Sequence, residues 1–388
     1  MSSRSRWLIV LISSPLVAFI TVGGLLGAAR TPAAQSGFEY LGVFQEVLNL
    51  ITHAYVEQPN IDKVMEGAMH GLAEGLDPSS AYLTAEEVRA IEAKAPLPSG
   101  DVGLVVTRQF YLRIVGVRDG SPAAKAGLQT GDFIRMIDQR PTRDMSAITG
   151  ARLLRGQPGS KLTLTVIRGN AADPHIIDLV RVPASGDDAT VTPLAGGIAR
   201  IRVASFGPGT AATLRKLFDG LAAQKLSAAV IDLRGTADGT ADDGIAAARL
   251  FVKSGTLAIR ASRAPEQVKV TASPGDGAIT TPVALLVSNG TANAAEIFAA
   301  ALSGNSRAEL VGEPTAGIAA SQKLVRLPQN TGLWLTTERY LTVDGVGPIH
   351  ERGLRPTVGV AIPTIGFDEL PPTTDEPLNR AAERLRKK

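Results

Sequence analysis

Residues 120–134 read GSPAAKAGLQTGDFI, and this stretch decides how the middle of the chain folds. Pro122 stands where the first turn of a helix accepts proline, and Gly127 is placed to end that helix. Gly131 then predicts a turn into an apolar strand. The predicted order is strand, short helix, strand, helix, strand, over LRIVGV (112–117), SPAAKAG (121–127), FIRMID (133–138), MSAITGARLLRG (145–156) and LTLTVIRG (162–169).

This order and the GSPAAKAGLQTGDFI string resemble PDZ domains of the bacterial type, which implies a peptide-binding domain over 98–170. In such a domain a short loop binds a C-terminal carboxylate through backbone N–H groups, and the peptide adds as a strand to the sheet edge. Gly103 would let the loop turn tightly, and Leu104 with Val106 would form an apolar pocket. The alternative is a plain edge strand and core. The resemblance places the peptide-binding residues at Val102, Gly103, Leu104, Val105 and Val106.

Residues 7–29 carry no charge and follow Arg4 and Arg6. A stretch of this length can cross a bilayer core of about 30 Å as a helix. The flanking positive charge predicts a cytoplasmic N-terminus, with the bulk of the chain in the periplasm or outside the cell. We therefore expect residues 1–30 to be a signal anchor in a bacterial cytoplasmic membrane. The alternative is a signal peptide cleaved near Ala29, which would leave the protein secreted.

Composition excludes several kinds of chemistry. The 388-residue chain has no cysteine, so disulfides, thiolate nucleophiles and cysteine-based zinc sites are excluded. Its four histidines never fall at metal-ligand spacing, so no metal and no cofactor is predicted. The net charge is only +3, and no long basic run interleaves with aromatic residues. Nucleic-acid binding therefore has no support.

The remaining segments have different patterns. Residues 38–95 have helical periodicity, and Thr84 with Glu87 forms a capping box, which predicts a small helical domain. In 171–363, buried strands such as VALLV alternate with helices, which predicts an α/β core with a mostly parallel sheet. Residues 364–388 read as a flexible tail that ends in a short helix. The expected fold class is therefore α/β multidomain, with an N-terminal membrane helix, a helical domain, a PDZ domain and a core.

The chain from about 38 to 363 resembles the C-terminal processing peptidases, also called tail-specific proteases. The resemblance is carried by several strings together: YVE (55–57), LDPSSAYL (76–83), the PDZ signature, VIDLRG (230–235), NGTANAAEIFAAAL (289–302), RAELVGEPTAG (307–317) and RYLTVDGVGPIHERGLRPTVGV (339–360). It implies a serine peptidase with a Ser–Lys dyad. In such a dyad a neutral lysine takes the proton of a serine hydroxyl, and backbone N–H groups receive the oxyanion.

Neither dyad residue is found where the resemblance places it. The family serine stands three residues before a glutamate, here Glu296, and that position is Asn293. The family lysine follows the G-E-x-T turn, and that position is Ile318. A glutamine four residues beyond the lysine is matched by Gln322. Asparagine has no hydroxyl and isoleucine accepts no proton, so the dyad is absent.

A third difference affects the turn after VIDLRG, which in the family reads N-P-G-G and borders the oxyanion. Here the turn is Thr236, Ala237, Asp238 and Gly239. The carboxylate of Asp238 would disfavour negative charge developing beside it.

We therefore expect a pseudopeptidase that binds the C-terminal tails of exported polypeptides, alone or beside an active protease. An active serine-type endopeptidase with a displaced nucleophile is a second hypothesis. The candidates for that nucleophile are Thr291, Ser288 or Ser321, and His350 is the histidine nearest in sequence that could act as its base. A third hypothesis is a structural envelope protein whose own helical segment fills the PDZ groove.

Overall fold

A computed structural model describes residues 33–93, 96–169, 173–183, 188–367, 369–370 and 372–387. The predicted membrane segment, 7–29, lies outside these residues. Among the helices that are described, none is both long and apolar enough to cross a membrane. The described residues form two compact units, which divide between residues 68 and 69. Helix α1 (Ala33–Ala54) lies in the first unit, and helix α2 (Ile61–Glu74) begins there.

The segment after α2 contains strand β1 (Ala81–Leu83) and helix α3 (Ala85–Glu92). The predicted capping box is confirmed, because Thr84 accepts from the backbone of Glu87 and the Glu87 side chain accepts in return. However, β1 pairs antiparallel with a strand of the core, Gly332–Leu341. The expectation of a self-contained helical domain over 38–95 is therefore corrected. Its three-residue strand needs a partner that lies some 250 residues later in the chain.

The PDZ domain follows. Its elements are β2 (Gly100–Asp101), β3 (Leu104–Gln109), β4 (Tyr111–Val117), α4 (Pro122–Lys125), β5 (Phe133–Ile137), β6 (Arg140–Pro141), α5 (Ala147–Leu154), β7 (Lys161–Ile167), β8 (His175–Val180) and β9 (Val182–Pro183).

The predicted order of strands and helices in the PDZ domain is confirmed, and β3 is the edge strand of a sheet ordered β3-β4-β5-β7-β8. Ser121 caps α4, and Pro122 occupies its first turn. The predicted end at residue 170 is too early. The last sheet strand, β8, pairs with β7 and buries Leu179 in the domain core.

The core extends from residue 188. Its elements are β10 (Ala189–Leu194), β11 (Ile198–Val203), α6 (Thr210–Asp219), β12 (Ala228–Asp232), α7 (Ala241–Ala248), β13 (Thr256–Ser262), β14 (Val268–Thr271), β15 (Val283–Val287), α8 (Ala294–Gly304), β16 (Ala308–Gly312), β17 (Ala320–Arg326), β18 (Gly332–Leu341) and β19 (Val358–Gly359), with 3-10 turns at Ala222–Gln224 and Pro328–Asn330.

Two sheets build this core. The first has the order β10-β11-β12-β15-β16-β19 and is parallel except for the pair β10 and β11, so the mostly parallel sheet is present. Strands β12 and β15 are buried along their whole length, as their apolar runs require. The second sheet, formed by β1, β18, β13, β14 and β17, is antiparallel and was not expected.

The C-terminal segment is a further correction. Helix α9 (Glu376–Arg386) packs on the first sheet and buries Ala381, Ala382 and Leu385 with residues of β12, β15 and β16. Asp375 caps this helix and also receives two hydrogen bonds from Arg234 of the core. Residues 376–386 are therefore part of the folded core and not the end of a flexible tail. The charged surface of the helix concealed its narrow apolar face.

The packing of α9 predicts that Leu385→Ala destabilises the protein. Leu385 is 8% exposed and Leu370 is 92% exposed, so Leu370→Ala is a matched control. We expect Leu385→Ala to lower the free energy of unfolding by about 2 kcal/mol, because a buried leucine loses its contacts and leaves a cavity. Urea unfolding of both variants checks this. Equal effects at the two positions would contradict a packed helix.

Candidate functional site

Three turns meet at the carboxyl ends of β12, β15 and β16. They are the turn at 233–239, the turn at 288–293, and the turn at 312–318 that leads toward β17. Parallel strands that end at one edge bring such turns together. The turns contain Asp238, Asn293 and Ile318, so the structure gathers the positions that the sequence singled out.

Asn293 lies at the start of α8 in a strained backbone conformation, with φ 49° and ψ −117°. Such angles are rare for a residue with a side chain and are characteristic of functional turns. Its side-chain Nδ2 donates to the carbonyl oxygen of Ala237 at 2.9 Å. The turn at 233–239 therefore directs a carbonyl oxygen toward the side chain of Asn293. A carbonyl oxygen accepts hydrogen bonds, whereas an oxyanion is stabilised by N–H donors.

Glu296 joins two of the three turns. Its fully buried carboxylate accepts from Thr315 Oγ1 at 2.5 Å, from the Gly317 N–H at 2.7 Å and from the Ile318 N–H at 3.0 Å. These bonds hold the turn that contains Ile318 against the first turn of α8. Burial raises the pKa of Glu296 to about 7, although the three donors oppose the shift.

Ile318 faces an apolar cluster. The buried members are Val115, Ala237 and Ala292, and Val105, Ala316 and Ile318 pack against them. Val105 and Val115 belong to the PDZ domain, whereas the other members belong to the core. Ile318, which is partly buried, therefore lies at an apolar contact between the PDZ domain and the core.

Gln322 and the 236–239 turn are engaged in structural contacts. Gln322 Nε2 donates to Thr336 Oγ1 at 3.3 Å. Thr236 Oγ1 donates to the Val203 carbonyl oxygen of β11 and accepts a hydrogen bond from Arg202 Nη1. Asp238 Oδ2 accepts from Arg118 Nη2 of the PDZ domain at 2.6 Å. Gly239 has φ 116°, and a Cβ there would lie 2.4 Å from the Phe206 carbonyl oxygen, so only glycine fits.

The candidate displaced nucleophiles have other roles. Thr291 is fully buried and donates its hydroxyl to the Leu233 carbonyl oxygen at 2.8 Å. Ser288 Oγ accepts from the backbone of Gly290 at 3.2 Å. Ser321 is hydrogen-bonded to Tyr340. Each hydroxyl is therefore part of the local framework, and none of these contacts involves a general base.

His350 does not act on any of these hydroxyls. It is 5% exposed, and neither ring nitrogen has a hydrogen-bond partner among the described residues. Its nearest acidic atom is Asp77 Oδ1, at 3.9 Å from Nε2. Burial lowers the pKa of His350, so the ring is neutral at pH 7.

The predicted peptide site of the PDZ domain differs from its expected form. Gly103 has φ 80°, as a tight loop requires, but its N–H already donates to Asp101 Oδ1 at 2.9 Å. Leu104 and Val106 are each 8% exposed and belong to the domain core. Val102 is fully buried there as well, and Val105 points into the contact with the core. What remains for a peptide is the free edge of β3 beside α5.

The groove for a peptide would lie between β3 and α5. Residues that the sequence did not single out contact both of these elements. Glu74 forms an ion pair with Arg108 of β3. Thr149 of α5 donates to Glu87 of α3 at 2.5 Å, and Arg152 of α5 donates to the carbonyl oxygen of Ala90. Such contacts between distant segments leave no local pattern from which they could be predicted.

The protein matches two family models. Residues 197–360 match peptidase family S41, and residues 113–168 match the PDZ domain. A carboxyl-terminal-processing protease of Synechocystis sp. is 30% identical over 87% of this chain and 80% of its own length. A carboxy-terminal-processing protease of Bartonella bacilliformis is 29% identical over 89% of this chain and 83% of its own.

One solved structure is also similar. The photosystem II D1 C-terminal processing protease matches with a TM-score of 0.68 and 25% identity, over 84% of this chain and 94% of that protein. The likeness includes both the PDZ domain and the α/β core.

The buried carboxyl of Glu296 predicts a pH-dependent stability. The unfolded chain releases this proton near pH 4.5 and the folded chain near pH 7, so the folded state binds more protons between these values. The free energy of unfolding should therefore fall as pH rises from 4.5 to 7, by on the order of 3 kcal/mol from this residue. Glu296→Gln should flatten the profile, measured by urea unfolding at several pH values. Glu266→Gln, at an exposed glutamate, is the control, and an unchanged slope in Glu296→Gln would contradict this assignment.

Proposed function

The chain belongs to peptidase family S41, the C-terminal processing proteases, and we propose that it is a pseudopeptidase that binds the C-terminal tails of exported polypeptides. One observation carries the proposal. Asn293 and Ile318, which the family resemblance places at the serine and lysine positions, have side chains that are engaged with the Ala237 carbonyl oxygen and with an apolar cluster. Asparagine has no hydroxyl or thiol that could act as the nucleophile, and the alkyl side chain of isoleucine cannot accept a proton.

The oxyanion side supports the same proposal. The carbonyl oxygen of Ala237 points at Asn293, and the carboxylate of Asp238 lies next to it in the chain. The carbonyl oxygen of Ala237 would repel negative charge that developed beside it during peptide hydrolysis. This feature is separate from the residues at 293 and 318, and it favours binding without chemistry.

The groove of the PDZ domain is the proposed binding site. The edge strand β3 has one free side next to α5, which is the arrangement used for strand addition. Arg155 follows α5, and its Nη2 lies 3.8 Å from Asp101 Oδ2, near the loop of Gly103. A tail carboxylate would replace Asp101 as the acceptor at that loop. We also propose that residues 7–29 hold the protein at the cytoplasmic membrane, so that the domains meet tails outside the cytoplasm.

Peptide binding tests this proposal. We expect the detergent-solubilised full chain to bind a labelled ten-residue peptide that ends in two apolar residues with a free carboxylate. The same peptide with an amidated end should bind at least about tenfold more weakly, because the loop recognises charge. Fluorescence anisotropy measures the binding, and mass spectrometry checks that the peptide stays intact. Cleavage that Thr291→Ala abolishes would instead establish the active-enzyme hypothesis.

Restoring the dyad provides a second prediction. The variant Asn293→Ser with Ile318→Lys should remain inactive on an unfolded polypeptide, because the Ala237 carbonyl oxygen and Asp238 still occupy the oxyanion side. Adding Asp238→Gly removes one of these obstacles and should give more activity than the double change does. Full turnover in the double variant would show that the dyad alone was lost.

A structural role is a second candidate, and one observation favours it. The segment 74–92 contacts β3 through Glu74 and α5 through Glu87, so the protein's own chain holds both walls of the groove. If this segment excludes ligands, the variant Glu74→Ala with Glu87→Ala should bind the free-carboxylate peptide much more tightly than the parent chain. Equal binding by the two proteins supports an open groove.

A further inference from the structure

We propose that the PDZ domain is fixed in one position relative to the core. The interface between them, here called the joint, covers the positions expected for the dyad and is held by the residues that stand there. The joint is defined by Val105, Val115 and Gly116 of the PDZ domain and by Ala237, Ala292, Gly290 and Ile318 of the core. We also infer that the joint stays closed while the groove binds a C-terminal tail, and this part rests on the proposed function.

The centre of the joint is apolar. Val115, Ala237 and Ala292 are each at most 2% exposed, and Val105 and Ile318 complete the cluster from opposite sides. Ile318 is partly buried, so a lysine there would place a charged side chain at the edge of this apolar contact and favour an arrangement that exposes it to water. Isoleucine instead adds apolar contact and stabilises the closed arrangement.

Two glycines allow the domains to approach closely. A Cβ at Gly116 of the PDZ domain would lie 2.8 Å from the Ala237 Cβ and 2.9 Å from the Gly235 carbonyl oxygen. A Cβ at Gly290 of the core would lie 2.6 Å from Thr130 Oγ1 and 2.7 Å from the Val115 carbonyl oxygen. The backbone of each domain therefore lies directly against the other domain at these two glycines. Such close packing is typical of protein interiors and not of surfaces that slide past each other.

Ion pairs border the cluster. Arg118 of the PDZ domain binds Asp238 of the core at 2.6 Å, and Arg202 of the core binds Asp119 of the PDZ domain at 2.7 Å. The arginine side chains are 20% and 11% exposed, whereas their partners Asp238 and Asp119 are 36% and 57% exposed, so both pairs lie at the solvent-facing border of the cluster. The two pairs are reciprocal, since each domain supplies one arginine and one aspartate. This reciprocity fixes the register of the two surfaces.

The chain between Ile362 and Asp375, here called the strap, makes further contacts with both domains. At its start, the Ile362 N–H donates to Glu313 of the core at 2.8 Å. Farther along, the carbonyl oxygen of Ile365 accepts from Arg168 at 2.9 Å and from Gln129 at 3.1 Å, both in the PDZ domain. Phe367 then lies 3.8 Å from the Arg168 guanidinium, within cation–π distance.

Beyond Phe367 the chain returns to the core, where Asp375 binds Arg234 at 2.7 Å. The strap therefore crosses from the core to the PDZ domain and back. To open the joint, the PDZ domain would have to break these contacts as well as the cluster and the ion pairs.

Spin labels can test whether the joint is fixed, since the chain has no cysteine to interfere. Labels at Ile176→Cys in the PDZ domain and Val268→Cys in the core replace side chains that are 74% and 52% exposed, so folding should be preserved. We expect one narrow distance between the labels in the full chain. Saturating amounts of the free-carboxylate peptide should shift it by less than about 2 Å. Two populations, or a larger shift with peptide, would overturn the proposal.

A matched pair of substitutions tests the role of Ile318. In the labelled chain, Ile318→Lys should broaden the distance distribution or add a second population, because the ammonium group favours an open joint. Ile318→Val keeps the apolar contact and should leave the distribution unchanged. If Ile318→Lys also leaves it unchanged, Ile318 does not hold the joint and the proposal fails in that form. If the peptide does not bind, the proposed function fails, while the distance distribution without peptide still decides whether the joint is fixed.

Discussion

The buried carboxylate of Glu296 is the interaction on which the geometry of the site depends. It binds the hydroxyl of Thr315 and the N–H groups of Gly317 and Ile318 from the first turn of α8. Replacing Glu296 with a residue that has no acceptor would leave these three buried donors without a hydrogen-bond partner. These hydrogen bonds therefore hold the turn at 312–318 beside the strained backbone at Asn293.

Residues of the three turns have a structural role. Ile318 and Ala237 pack against Val105 and Val115, and Asp238 binds Arg118. These contacts exclude water between the PDZ domain and the core, and the removal of apolar surface from water stabilises their packing.

The elements with strong local signals were predicted well. The capping box at Thr84, the proline-initiated helix at Pro122 and the buried runs of β12 and β15 all appear as expected. Errors occurred where pairing is long-range. The strand β1 joins β18, and α9 packs on a sheet through three residues, so neither has a local signature strong enough to reveal its partner. The burial of Val102, Leu104 and Val106 in the PDZ core was likewise not foreseen, because it depends on how β3 packs against the rest of the domain.

The sequence by itself determined the family resemblance, the order of the domains and the presence of asparagine at 293 and isoleucine at 318, because residue identity alone decides whether a hydroxyl or an amine exists at a position. Only the tertiary structure decided what Asn293 and Ile318 contact. Their partners, the Ala237 carbonyl oxygen and Val105 of the PDZ domain, are 56 and more than 200 residues away in the chain. Contacts over such separations depend on how the turns and domains pack, and no local pattern in the sequence encodes them.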